Sequence, residues 1–92
     1  MSDKAIGWFC YKNENQYNEF LSVFTDAHCL PASFEGWQRN AEISIQLMEY
    51  QGIVVTRVYA ESTDEFIRCC QEYEWSIDAE GRKNFAFLKS QL

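Results

Sequence analysis

The chain has little of what usually announces a function. It holds one proline, Pro31, one histidine, His28, and four isolated glycines in 92 residues. Gly7, Gly36, Gly52 and Gly81 lie too far apart for a GxGxxG fingerprint or a P-loop, so no phosphate-cradling loop is written here. A single histidine leaves imidazole chemistry one position, His28. Basic residues are scarce as well: eight against fourteen acids, for a net charge of −6. The few lysines and arginines are scattered and form no basic stripe. Binding to nucleic acid or to an anionic membrane surface is therefore disfavoured. No apolar run approaches the roughly 20 residues of a membrane span. The N-terminus lacks the basic-then-apolar layout of a signal peptide, which leads to the expectation of a cytoplasmic protein. Repeats and low-complexity stretches are missing too.

What is present is the material of a core. Hydrophobic residues make up 47% of the chain and aromatics 16%, a composition that excludes acidic disorder. The length suits one domain, residues 1–92, near the lower end of what a hydrophobic core can hold unaided. Trp8, Trp37 and Trp75 are expected to supply large buried surfaces. Cys10, Cys29, Cys69 and Cys70 are even in number, but a reducing compartment makes free thiols the expectation. Zinc needs four converging ligands. Cys69 and Cys70 are adjacent and would point about 100° apart on a helix, so neither metal nor cofactor is expected.

Hydrophobic periodicity orders the chain as β-α-α-β-α-α. Ala5 to Tyr11 is apolar at nearly every position, as in a strand buried on both faces. Asn13 or Asn15 supplies an N-cap, and Tyr17, Phe20, Leu21 and Phe24 mark one face of a first helix ending near Asp26. Ser33 caps a second helix striped by Phe34, Trp37, Ala41, Ile45 and Met48, with Gly52 placed for a left-handed stop. Ile53 to Tyr59 is almost wholly β-branched or aromatic and reads as the second strand. Ser62 and Glu65 have capping-box spacing before a helix facing inward through Phe66, Ile67, Cys70 and Tyr73. Asp78 caps a fourth helix whose buried side is Phe85, Ala86 and Leu88. The fold class is α/β (α+β), with a short two-stranded sheet packed by helices. The long crossover between the strands permits parallel pairing.

The run Trp37-x3-Ala41-Glu42, Gly52-Ile53-x-Val55-x-Arg57-Val58, Asp64-Glu65-Phe66, Cys70, Asp78, Arg82 and Phe85-Ala86 resembles a group of small uncharacterised bacterial α/β proteins. Such proteins are carried on mobile elements such as integron gene cassettes. The resemblance covers about residues 31 to 88 and implies a bacterial, cytoplasmic, compact protein. It supplies no catalytic residues.

Nucleophilic catalysis requires a nucleophile, a base and an oxyanion site within reach of one another. His28 and Cys29 form the one His/Cys neighbour pair, and adjacent side chains rarely face the same reacting atom. Asp64/Glu65 and Asp78/Glu80 stand at helix starts, where acids complement the helix dipole. Arg57 is the position hardest to explain structurally, because a guanidinium inside a covered strand needs a carboxylate, a phosphate or a partner. Trp37, Glu42 and Tyr59 are the candidates to complete a pocket around it. The leading functional class is a non-enzymatic binding or interaction module. The alternatives are a small-ligand domain with an apolar pocket anchored by Arg57, and an inhibitor or immunity-type protein acting on a basic partner. Two flat, proline-free strands guarded only by Arg57 would leave an open edge. A homodimer is therefore expected, with Val54, Val58, Trp37 or exposed aromatics at its interface. The charge argument has a direct check: a gel-shift assay with random duplex DNA at physiological salt should show no submicromolar complex.

Overall fold

The computed structural model describes residues 4–92. Strand β1 (Ala5–Cys10) leads through helix α1 (Glu14–Leu21) and a 3-10 turn (Ala27–Cys29) to helix α2 (Phe34–Tyr50). Strand β2 (Val54–Tyr59) then precedes helices α3 (Thr63–Tyr73) and α4 (Ala79–Ser90). The two strands pair in parallel, with Ala5 beside Val54 and Cys10 beside Tyr59. This is the order that periodicity predicts, and it holds because each helix begins on a side chain able to satisfy its first free amides. Asn13 accepts from Gln16 N–H, Ser33 from Gly36 N–H, Ser62 from Glu65 N–H and Asp78 from Glu80 N–H. Glu65 completes its box one residue early, accepting the amide of Glu61 at 2.8 Å. Gly52 takes φ +88° just past α2, the left-handed stop expected of it. Glu74 adopts φ 59° at the end of α3, where nothing in the sequence marks a left-handed residue.

Four expectations are corrected, the first being Tyr73, which is 49% exposed and stacks on Trp75 instead of facing inward. Helix α1 ends at Leu21, five residues before Asp26. Ser22 Oγ donates to Glu19 C=O at 2.6 Å, and this local bond competes with continuation of the helix. Strand β1 is not covered on both faces: Ala5 is exposed and Ile6 to Trp8 are half-buried, with full burial only at Phe9 and Cys10. A strand with a neighbour on one side only leaves its flank open. The three tryptophans are half-buried, not central. Phenylalanine and tyrosine fill the centre instead.

Phe9 stands in the middle of that centre. Its ring lies 5.2–5.5 Å from those of Tyr11, Phe20, Phe66 and Phe85, edge to face in each case, and 6.3 Å from Phe24. Gln16 is the one buried polar side chain among the described residues. Its Oε1 accepts Lys12 N–H at 2.8 Å and its Nε2 donates to Ala60 C=O at 3.0 Å, so the exits of both strands are tied together. Val58 belongs to the core, whereas Val54 is exposed.

Helix α4 packs chiefly on β1, and Gly7 permits it. A Cβ at Gly7 would run into the Ala86 carbonyl, and Ser90 lies close behind. Helix backbone on a strand is a contact that no flexible side chain can relieve. Gly7→Ala should therefore lower stability by about 1–3 kcal/mol, the usual range for overpacking, as read by urea unfolding followed through tryptophan fluorescence.

Candidate functional site

The phase of the ladder decides what β1 offers to its surroundings. Val54 N–H donates to Lys4 C=O at 2.8 Å. In a parallel ladder of this register, Ile6, Trp8 and Cys10 bond to β2. The amides and carbonyls of Ala5, Gly7 and Phe9 then point to the opposite side. A cavity of about 620 Å³ lies along that side. Ala5 to Phe9, five consecutive residues, line it, and Ala79, Arg82, Lys83 and Phe87 of α4 form one wall. Tyr11, Leu30 and Trp37 contribute at the end of the strand.

Trp37 is held there by the aromatic packing of the first crossover. Its ring stacks on Phe34 at 5.9 Å and meets Tyr11 edge to face at 4.8 Å. Tyr17 Oη donates to Pro31 C=O at 2.6 Å, which pins the connection into α2 against α1.

The electrostatics of the cavity invert those of the chain. No acid lines it, and two cations do. Arg82 is already engaged: it meets Asp26 through two hydrogen bonds of 2.8 Å, and the Phe24 ring lies 4.4 Å from its guanidinium carbon. With side chains 12% and 21% exposed, Arg82 and Asp26 form a largely desolvated bidentate pair. The hydrogen bonds from Arg82 hold the Asp26 carboxyl below its ordinary value of 3.8. Lys83, one residue on, is exposed and forms no ion pair among the described residues. One cation thus anchors the wall, and the next is available to a ligand.

Two of the four residues singled out in the sequence come together, away from the cavity. Arg57 meets Glu42 at 3.1 Å, with side chains 40% and 54% exposed. That pair answers the charge of Arg57 locally, and water screens it. Tyr59 is exposed on the same strand. Of the four, only Trp37 lines the cavity. Arg82, Lys83 and Phe87 escape a sequence reading because α4 looks inward through Phe85 and Ala86. The available signal was Phe87 itself, an aromatic off that stripe, spaced i, i+4, i+8 with Lys83 and Ala79.

The four cysteines are free. Burial pushes the thiols of Cys10 and Cys70 up to about 11 and raises that of Cys69, away from thiolate reactivity. Cys29 is exposed beside His28 on the 3-10 turn. Among the described residues, no group of three His, Cys, Asp or Glu side chains is arranged to hold a metal ion, and no helix is long and apolar enough to cross a membrane.

The Asp26–Arg82 pair has a pH signature. A carboxyl depressed on folding contributes stability above its unfolded value, and that contribution disappears as pH falls through the folded value. Wild-type stability should decline below pH 3.8 in part through Asp26. Asp26→Asn should cost about 3 kcal/mol at pH 7, as for breaking a desolvated pair, and should flatten that part of the acid limb in urea titrations.

No protein-family model matches this chain, and comparison with curated proteins and with solved structures gives no match.

Proposed function

We propose that the chain is a non-enzymatic binding module whose binding element is the cavity along β1. The observation that carries this reading is the conjunction of an open strand flank, an apolar lining and a cation-only rim at one place. At about 620 Å³ the cavity has the size of a ligand site. Burial raises the thiols of Cys10, Cys69 and Cys70, which disfavours these three as nucleophiles. The acidic surface elsewhere serves solubility. The bacterial, cytosolic setting is the one that the family resemblance implies.

Titration with 1-anilinonaphthalene-8-sulfonate, an apolar anion, tests the cavity. Amide shifts in two-dimensional NMR should gather at Ala5–Phe9, Trp37 and Lys83–Phe87, and Ala79→Trp, which fills the cavity from an exposed position, should weaken the fluorescence response. Shifts gathered instead on the exposed Ile43 and Leu47 of α2, or a response untouched by Ala79→Trp, would overturn the reading.

A further inference from the structure

We infer that the occupant of this cavity is an extended polypeptide segment that adds to β1 as a third strand, with a carboxylate and an apolar side chain two residues apart. The inference rests on the binding-module reading and names its partner. Three observations lead to it.

The first is the form of the floor. It is not a ring of side chains but a strand flank, presenting the amides and carbonyls of Ala5, Gly7 and Phe9 at the alternate spacing that another backbone would match. A compact small molecule satisfies one or two such groups, and an extended chain satisfies all of them.

The second is charge. In a chain of net charge −6, the lining holds Arg82 and Lys83 and no acid. Asp26 occupies Arg82, which leaves Lys83 to meet a carboxylate on the incoming segment.

The third is spacing. Helix α4 runs antiparallel to β1, with Ala86 and Ser90 against Gly7 and Phe85 against Phe9. Lys83 and Phe87 lie one helical step of four residues apart, about 6 Å along the axis. Two residues of a strand advance about 6.6 Å. Side chains i and i+2 of an added strand share the face toward α4, so one reaches Lys83 and the other Phe87. The intervening residue faces the opposite side of the sheet, where Ile6 and Trp8 lie.

The probe is the capped hexapeptide acetyl-Thr-Glu-Ile-Val-Val-Thr-amide, added to the isotopically labelled protein. Two further versions carry N-methyl groups at residues 2 and 4 or at residues 3 and 5. A strand turns alternate amides toward each neighbour, so one methylated version should lose binding and the other should keep it. The amides of Gly7 and Phe9 should gain protection from hydrogen exchange. Replacing the peptide glutamate with lysine should weaken binding about fivefold, the size of a partly exposed ion pair, and Lys83→Glu should reverse that preference.

Equal binding of both methylated peptides would overturn the inference in favour of small-molecule occupancy. So would protection of Gly7 and Phe9 without peptide in a species of twice 10.8 kDa, since a second copy would then fill the flank. If the sulfonate dye maps to the cavity and no peptide does, the strand inference fails and the binding module stands; if neither does, both fail.

Discussion

The packing of one phenyl ring organises this molecule. Phe9 lies on β1, and the rings around it come from α1, α3, α4 and the exit of β1. Edge-to-face contacts of this kind add a directional preference to the burial of large apolar surfaces. They therefore set orientation as well as proximity. A two-stranded sheet is marginal alone, and here it persists because its better-covered end is clamped in an aromatic cluster. The Gln16 bridge between Lys12 and Ala60 secures the same end with hydrogen bonds.

That clamp has a consequence for the rest of the sheet. Burial is complete at Phe9 and Cys10 and falls away toward Ala5. The close approach of α4 at Gly7 seals one face without covering the flank. The cavity along β1 arises because a strand with one lateral partner is held in place by packing at its far end and on one face. A chain of this length could have covered such an open flank with a charged or proline residue. Instead the flank is glycine and apolar side chains, walled by a helix with a lysine available.

The Asp26–Arg82 pair joins the turn after α1 to α4 and holds the wall in place. Arg57 and Glu42 do something comparable between β2 and α2 with less burial and more solvent screening. Both arginines find carboxylates within the chain, and of the two cations lining the cavity the one without a carboxylate partner among the described residues is Lys83. Charge identity alone does not indicate which basic residue is available; the neighbours decide it.

Element order, helix caps and the left-handed Gly52 were legible from the residues alone, because they depend on local spacing: an N-cap acts within three residues and a stripe within four. The long crossover permitted parallel pairing without deciding it. The even number of cysteines left disulfides open, and the free state of all four is a finding of the structure. Several features depended on contacts far apart in sequence. Arg82 meets a carboxylate 56 residues away, and Gln16 reaches a carbonyl 44 residues away. The depth of the tryptophans, the true end of α1 and the separation of Trp37 from Arg57 were likewise decided by packing. The cavity was the least legible of all. Its floor is a strand flank, its wall is the side of α4 beside the buried stripe, and no periodicity in either segment tells which way the two face one another. Local sequence determined which elements form, while the tertiary structure decided which of their surfaces remained uncovered, since burial depends on partners brought together only when the chain closes.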